Sequence, residues 1–270
     1  MNQILSRIAK FYVNKQSFLS QLKAYNENPN ILAAVISCAD SRVLTSKLLC
    51  SNVGELFVER NPGNFLCCDE SPIDHLHENC STPGFLELTL LRCEIKDIII
   101  CGHSDCRAIN LLNNLRKSIH EQGYLAHHHQ QQQHKSIDNL SENNPIKSKP
   151  LEKWIWKNGC KTLQNFDPSS EILRFTSSSS FHPNCPTFEL DLKLTKHLTE
   201  IDLLSQANVL QQMIHVYSYE MLKNQFAQNA IRVHGIWFEL YSGNVLLYSR
   251  LNKAFVPVNE KTINSLLNEL

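Results

Sequence analysis

Three side chains with the chemistry of metal ligands occur in two short stretches that are far apart in the chain. Cys38 begins the stretch Cys-Ala-Asp-Ser-Arg at residues 38–42, and His103 and Cys106 form a His-x-x-Cys pair. Two thiolates and one imidazole can make a tetrahedral zinc site whose fourth position stays open for water, which is the arrangement of catalytic zinc. A structural site would usually show a fourth cysteine or histidine nearby. The sequence therefore predicts a catalytic zinc centre, provided that the fold brings these residues together.

Asp40 and Arg42 stand beside the first of these ligands. A carboxylate two residues from a ligand is close enough either to bind the metal or to hydrogen-bond a hydroxide on it. The guanidinium of Arg42 can hold that carboxylate through two hydrogen bonds. An Asp-x-Arg pair is more commonly a solvated surface contact, but its place beside a metal ligand favours a catalytic role for both residues.

Two buried strands are predicted to end at the ligands. Residues 31–36 are continuously apolar and lead into Cys38, and residues 97–101, which are apolar after Asp97, form a second run that Gly102 breaks just before His103. Continuous apolar runs are typical of strands that are covered on both faces of a parallel sheet. Sites in open α/β sheets lie beyond the carboxyl ends of the strands, so two neighbouring strands would bring the ligands together.

A helix is predicted to begin near Cys106, because apolar residues recur at helical spacing after it. Ser104 and Asp105 are good N-cap residues, so Cys106 is expected in the first helical turn. Helix N-termini favour anions, and we therefore expect the pKa of the Cys106 thiol to be lowered.

Helical and strand patterns alternate along the rest of the chain, without a repeat of about 20–50 residues. This alternation predicts an α/β fold with a largely parallel central sheet flanked by helices. Helices are predicted over residues 83–92, 151–156, 201–222 and 262–270, and strands over residues 56–58, 231–238 and 245–248.

The segment from about residue 120 to 150 departs from this pattern, because it is rich in histidine, glutamine, serine and asparagine. Such a stretch buries too little apolar area to offset its ordering entropy, so a disordered low-complexity insertion is predicted. Metal binding by its histidines is the alternative. Core-like patterns resume on both sides, which predicts a single domain over residues 1–270.

Composition excludes several classes of function. Lys and Arg number 26, Asp and Glu also number 26, and 42% of the residues are hydrophobic, so the chain can form a sizeable core and has no global basic field for nucleic acid or anionic lipid. We therefore expect a small-molecule substrate. No apolar run approaches the roughly 20 residues that span a bilayer, and no signal-peptide pattern is present. The 10 cysteines are scattered irregularly in a long chain, which favours a reducing compartment and free thiols.

The first 26 residues carry basic side chains and no acidic ones, and Ile4, Ile8, Phe11 and Tyr12 recur at helical spacing. This pattern permits a mitochondrial presequence. The alternative is a surface helix that packs on the domain or on a partner subunit. Localisation is accordingly expected to be mitochondrial or cytoplasmic.

Taken together, the motifs resemble those of the β-class carbonic anhydrases. The signature Cys-x-Asp-Ser-Arg occurs at residues 38–42, and Gly-His-x-x-Cys occurs at residues 102–106. The sequence of residues 103–108 is most similar to that of the invertebrate animal branch of this family. Pro62 stands where the family more often has a small residue, and the insertion at about residues 120–150 is longer and more polar than is usual in the family. The resemblance extends over residues 53–61, 208–212, 218–219, 234–238 and 242–243.

The resemblance implies a β-carbonic-anhydrase-like fold with an N-terminal helical arm, and a zinc-dependent lyase that reversibly hydrates carbon dioxide to bicarbonate and a proton. Zinc lowers the pKa of its bound water from 15.7 towards neutrality, and the resulting hydroxide attacks the carbon. It also implies that Asp40 becomes a fourth zinc ligand in a closed state at lower pH unless Arg42 holds it. Related proteins form homodimers or higher homo-oligomers through N-terminal helices and edge strands. Since two thiolates cancel most of the charge of the metal, we expect activity to rise towards alkaline pH.

Two other functions fit the same ligands. One is a non-catalytic zinc-binding regulatory protein on the same fold, and the other is a hydrolase of a carbon dioxide analogue such as carbon disulfide. A nucleobase deaminase would need a His-x-Glu with a later Cys-x-x-Cys, and neither occurs. The 8 glycines are not spaced as a phosphate-binding loop requires.

Overall fold

A six-stranded sheet forms the centre of the computed structural model, which describes residues 1–67, 80–127, 149–176 and 185–270. Four neighbouring strands of the sheet are parallel, and each of the last two pairs in the antiparallel direction with the strand before it. A separate antiparallel pair consists of β4 (Ile172–Phe175) and β5 (Phe188–Asp191). In spatial order, the strands of the large sheet are β2 (Leu56–Asn61), β1 (Ala33–Cys38), β3 (Asp97–His103), β6 (Arg232–Phe238), β7 (Val245–Ser249) and β8 (Ala254–Pro257).

The two predicted ligand-bearing strands are confirmed, and they are direct neighbours. All six residues of β1 are buried, as expected for a strand that is covered on both faces. β3 pairs with β1 in parallel, and Ser37 lies opposite Cys101. Both strands continue beyond the predicted apolar runs, so that Cys38 and His103 are their last residues. The carboxyl ends of β1 and β3 therefore place the two ligands side by side.

Helices cover the sheet, and α7 (Glu200–Tyr217) is the one that lies most deeply in the core. Every residue of α7 from Leu204 to Tyr217 is buried. The predicted helix over residues 201–222 is interrupted after Tyr217, and a 3₁₀ turn at Glu220–Leu222 follows. The predicted helix over residues 83–92 begins as α4 (Thr82–Leu86) and continues as a π-helical turn at Glu87–Arg92. The helices are α1 (Asn2–Asn14), α2 (Gln16–Glu27), α3 (Thr45–Leu48), α4 (Thr82–Leu86), α5 (Arg107–His127), α6 (Pro150–Gln164), α7 (Glu200–Tyr217), α8 (Lys223–Ala227) and α9 (Ile263–Leu267).

The N-terminal arm consists of α1 and α2, and neither helix contains a buried residue.

The predicted insertion at about residues 120–150 is partly helical, because α5 continues to His127 and thus into the segment that was expected to be disordered. Residues 128–148 of that segment lie outside the described part of the chain. Among the described helices, none combines the length and the apolar character that a membrane crossing requires.

The expectation that every cysteine is a free thiol is wrong for one pair, because Cys67 and Cys80 form a disulfide. Nothing in the spacing of the cysteines predicted this pair, since the fold brings the two residues together from positions 13 apart in sequence. Cys38, Cys101 and Cys106 are free and buried.

Candidate metal centre

The three predicted metal ligands meet at the carboxyl ends of β1 and β3. The two sulfur atoms and one ring nitrogen of Cys38, His103 and Cys106 all lie within 4.8 Å of one another. The Sγ atoms of Cys38 and Cys106 are 3.8 Å apart, and all three side chains are buried. The predicted convergence is confirmed, because β1 and β3 are neighbours and α5 begins directly after Cys106.

His103 is held in the tautomer that a metal ligand needs. Its Nδ1 lies 2.8 Å from the backbone oxygen of Ser104, so Nδ1–H can donate to that carbonyl and leave a lone pair on Nε2. The Nε2 atom is buried and has no hydrogen-bond partner within the described residues. Such an atom needs a partner, and two sulfur atoms with one imidazole nitrogen are a donor set that fits zinc.

The two thiols differ in acidity because they share one hydrogen bond. The Cys106 thiol donates to Cys38, and this bond outweighs burial and lowers the pKa of Cys38 to about 4; the backbone amides of Gly63 and Asp40 add to the effect. The pKa of Cys106 is raised, first by the bond to the Cys38 sulfur and then by burial. The expected lowering at Cys106 is therefore wrong for the metal-free pair, because the thiolate beside it outweighs the helix N-terminus.

Cys106 itself occupies the N-cap of α5, rather than the first helical turn. The backbone amides of Ala108 and Ile109 act on its sulfur to lower the pKa of the thiol, and amides at these two positions are the ones that an N-cap side chain faces. The predicted cap Ser104 instead accepts a hydrogen bond from the backbone N–H of Leu240.

Asp40 and Arg42 form the predicted pair. Arg42 donates from Nε to Oδ1 of Asp40 at 3.0 Å and from Nη2 to Oδ2 at 2.7 Å, and its backbone N–H donates to Oδ1 at 2.9 Å. These hydrogen bonds hold the pKa of the Asp40 carboxyl well below its usual range. Only 11% of the Asp40 side chain is exposed, so this pair is not the solvated surface contact that was the alternative.

Two residues of the site were not predicted. Arg60 donates to the backbone oxygens of Cys38 (Nε, 3.0 Å) and Asp40 (Nη2, 2.6 Å), and it thereby fixes the backbone between ligand and carboxylate. Asp105 accepts a hydrogen bond from Arg42 at 2.7 Å. The predicted strand over residues 56–58 placed Arg60 near a strand end, but the pairing of that strand with β1 is known only from the fold.

A cavity of about 380 Å³ opens beside the cluster. Pro62, the departure from the usual sequence, lies in its wall, and the backbone oxygen of Pro62 accepts a hydrogen bond from Trp154 Nε1 at 3.2 Å. The cavity is large enough for a small substrate next to Cys38. Its other lining residues are Ala39, Asp40, Ser41, Arg42, Arg107, Ala108 and Leu151.

Comparison with known proteins places these features in one family. The sequence profile of the carbonic anhydrase family matches residues 33–172, a range that contains all three ligands. Beta carbonic anhydrase 1 of Caenorhabditis elegans is 32% identical over 277 residues, which cover 100% of this chain and 93% of that protein. The solved structure of the β-carbonic anhydrase CcaA has a TM-score of 0.64 at 22% identity and covers 96% of this chain and 99% of its own. A structure from the work on two tetrameric β-carbonic anhydrases of Sordaria macrospora has a TM-score of 0.54 at 16% identity, over 91% of this chain and 94% of its own.

Proposed function

The chain belongs to the β-class carbonic anhydrases, and on this premise we propose that it reversibly hydrates carbon dioxide to bicarbonate and a proton at a zinc ion held by Cys38, His103 and Cys106. The observation that carries the proposal is the buried His103 Nε2, which has no hydrogen-bond partner among the described residues and belongs to the same cluster as two thiols. Three ligands leave one coordination position for a water molecule.

When bound, zinc supplies a Lewis acid that lowers the pKa of a water molecule towards neutrality. The protein supplies the rest of the chemistry. Cys38 and Cys106 are ligands, while the Ser104 carbonyl fixes the orientation of the third ligand, His103. In this arrangement Arg42 holds both oxygens of Asp40. We assign Asp40 to orient a water molecule in the cavity through a hydrogen bond, and Arg42 to keep the carboxylate from becoming a fourth ligand in a closed state.

The test is stopped-flow hydration of carbon dioxide together with the zinc content per chain. We expect the unmodified protein to bind one zinc and to hydrate carbon dioxide. We expect Cys38→Ala and Cys106→Ala to lose zinc and activity together. Cys101→Ala is the matched control, because Cys101 is likewise a free, buried cysteine but is not in the cluster of Cys38, His103 and Cys106. It should keep zinc, and zinc retention in Cys38→Ala would contradict the assignment.

The roles of Asp40 and Arg42 need a second comparison. We expect Arg42→Ala to keep zinc bound while kcat/KM falls about 100-fold, because charge-assisted hydrogen bonds are each worth roughly 1.5–3 kcal/mol and about 1.4 kcal/mol corresponds to a factor of ten. Unchanged turnover would remove the pair from the mechanism. A chain that binds zinc and shows no hydration at all would instead support the non-catalytic alternative.

We also propose that the protein is a homodimer or a higher homo-oligomer whose contact involves the N-terminal arm and β2. β2 lies at the edge of the sheet, with no further strand beside it among the described residues. Unpaired strand edges and large apolar surfaces both favour association with another chain. The arm exposes the large apolar side chains of Ile4, Leu5, Ile8, Phe11, Tyr12 and Val13.

Light scattering coupled to size exclusion tests the assembly. Ile8→Lys places a charge on the exposed face of α1 and should shift the mass towards the monomer. Leu251→Lys is the matched control, because Leu251 is also apolar and exposed but lies after β7, outside the arm. A wild-type protein that is monomeric at micromolar concentration would contradict the proposal.

The remaining expectations concern organisation and location. We propose that residues 1–270 form one carbonic-anhydrase-like domain, which a single cooperative unfolding transition would support and two transitions would oppose. We propose a mitochondrial or cytoplasmic location. Cell fractionation with N-terminal sequencing of the mature protein decides between these two, since only an imported protein would lose the arm as a presequence.

A further inference from the structure

We infer that Asp105 is a positioning residue that fixes Arg42 for its work on Asp40, an inference that rests on the proposed function. Arg42 Nη1 donates to Oδ2 of Asp105 at 2.7 Å, and Nη2 donates to the backbone oxygen of Asp105 at 3.1 Å. Nε donates to Asp40, and Nη2 donates to Asp40 as well as to Asp105. The planar guanidinium is therefore bonded on two sides, by the catalytic carboxylate and by a residue of the β3–α5 loop.

The loop that carries Asp105 is itself fixed from behind. The φ angle of Asp105 is +51°, in the left-handed region that aspartate, asparagine and glycine tolerate better than other residues. Its backbone N–H donates to Oδ1 of Asp202 at 2.8 Å. Asp202 is in turn bonded to Thr199, the N-cap of α7, whose hydroxyl donates to Oδ2 and accepts from the Asp202 N–H. A chain of hydrogen bonds thus connects the start of the core helix with the guanidinium.

Arg42 needs such support because its side chain is 39% exposed and long, so a single carboxylate partner would leave it much of its rotational freedom. Asp105 does not line the cavity beside Cys38, and 49% of its side chain is exposed. Contact with substrate is therefore not its role. It acts through Arg42, by restricting the guanidinium to the orientation in which both oxygens of Asp40 are bound.

Three variants of the whole chain separate the hydrogen bond between Arg42 and the Asp105 side chain from the effect of the backbone angle at residue 105. Asp105→Asn keeps a side-chain acceptor and tolerates the positive φ, and we expect kcat/KM within about threefold of wild type. Asp105→Gly removes the acceptor but accepts the backbone angle, and we expect a loss of about tenfold with zinc content unchanged. Asp105→Ala removes the acceptor and adds backbone strain, so it should lose both activity and stability.

A double mutant tests whether Asp105 acts through Arg42. In the Arg42→Ala background, Asp105→Gly should cause no further loss, because its only route to the reaction is already gone. An additional tenfold loss in that background would overturn the inference. A wild-type kcat/KM in Asp105→Gly would overturn it as well, and so would an equal defect in Asp105→Asn and Asp105→Gly, since charge rather than position would then be decisive.

A measurement on the zinc-free protein makes the test independent of turnover. The Nε–H resonance of Arg42, identified by its absence in Arg42→Ala, should be observed in wild type and in Asp105→Asn, and should broaden or exchange faster with solvent in Asp105→Gly. An equal line width and an equal rate of exchange with solvent in wild type, Asp105→Asn and Asp105→Gly would contradict the positioning role. If the unmodified zinc-bound protein did not hydrate carbon dioxide, only the proposed function would be overturned. The resonance reports on the hydrogen bonds between Arg42 and Asp105 in either case.

Discussion

Replacing Gly102 by alanine tests whether the packing of α7 on the sheet positions the proposed metal ligand His103. Gly102 lies in β3 directly before that ligand. A Cβ atom built on it would be 2.5 Å from Cγ2 of Val209 and 3.3 Å from Cδ1 of Trp237. Real Cβ atoms essentially never approach a neighbour within 3.0 Å. Val209 cannot turn away easily, because it is fully buried and a valine in a helix has essentially one side-chain rotamer. The added methyl group must therefore displace α7 or β3.

The expected cost follows from two opposing effects. Overpacking of a dense core costs about 1–3 kcal/mol. Replacing glycine by alanine recovers about 0.4–1 kcal/mol by restricting the unfolded chain. We therefore expect Gly102→Ala to lower the free energy of unfolding by about 1–2 kcal/mol. Gly84→Ala is the opposite control: it lies in α4, nothing is within 4 Å of its Cβ position, and it should raise stability by about 0.5–1 kcal/mol.

Urea unfolding of the zinc-free proteins measures these differences, and competition with a chelator measures zinc affinity. Gly102→Ala should also bind zinc more weakly, because β3 is disturbed one residue before His103. Gly235→Ala, on the neighbouring β6, should cost less, since its Cβ meets the flexible thioether of Met213 at 2.7 Å and approaches Val209 only to 3.1 Å. A Gly102→Ala protein with wild-type stability and zinc affinity would refute the reasoning, and so would a larger loss in Gly235→Ala.

Two further predictions concern stability away from the metal. Burial raises the pKa of Asp97, but the hydrogen bonds from Arg232 and His234 outweigh it, so the net pKa is lowered. Asp97→Asn should therefore reduce the free energy of unfolding at pH 7 by about 1 kcal/mol, discounted for the exposure of Arg232. The difference should begin to shrink as pH falls below about 3.9, the pKa of the unfolded state, and should disappear only below the lowered pKa of the folded state. Urea unfolding at pH 7 and pH 3 checks the full difference and its decline. Reduction of the Cys67–Cys80 disulfide should lower stability by about 2–3 kcal/mol, which unfolding with and without dithiothreitol measures in parallel with a thiol count.

The sheet and the ligand set were predictable because their signals are local and their geometry is general. The continuous apolar runs before Cys38 and His103 indicated strands that are buried on both faces; β1 is fully buried, and β3 is buried except at Asp97 and Ile99, which are partly exposed. Parallel strands place their carboxyl ends at one edge of the sheet, so the convergence of the ligands needed no knowledge of register. Only the adjacency of the two strands had to be assumed.

Contacts between separate loops could not be predicted in this way. Arg60 reaches the backbone of Cys38 because β2 pairs with β1, and no property of the residues around Arg60 specifies that partner. The Cys67–Cys80 disulfide likewise depends on the path of the chain, since several cysteines at other positions were equally eligible by spacing. In each case the partner is chosen by tertiary structure and has no local sequence signal.

The start of α5 shows how a local rule fails when a ligand competes for the same position. Ser104 and Asp105 are better N-cap residues than cysteine, yet Cys106 takes the position. Both alternatives are engaged elsewhere, Ser104 by the N–H of Leu240 and Asp105 by Arg42. The helix amides that a hydroxyl or carboxylate would usually bind instead stabilise negative charge on a sulfur, which is the form that binds metal. Where a cysteine with metal-ligand spacing stands at a strand-to-helix junction, the cysteine should therefore be preferred as the N-cap.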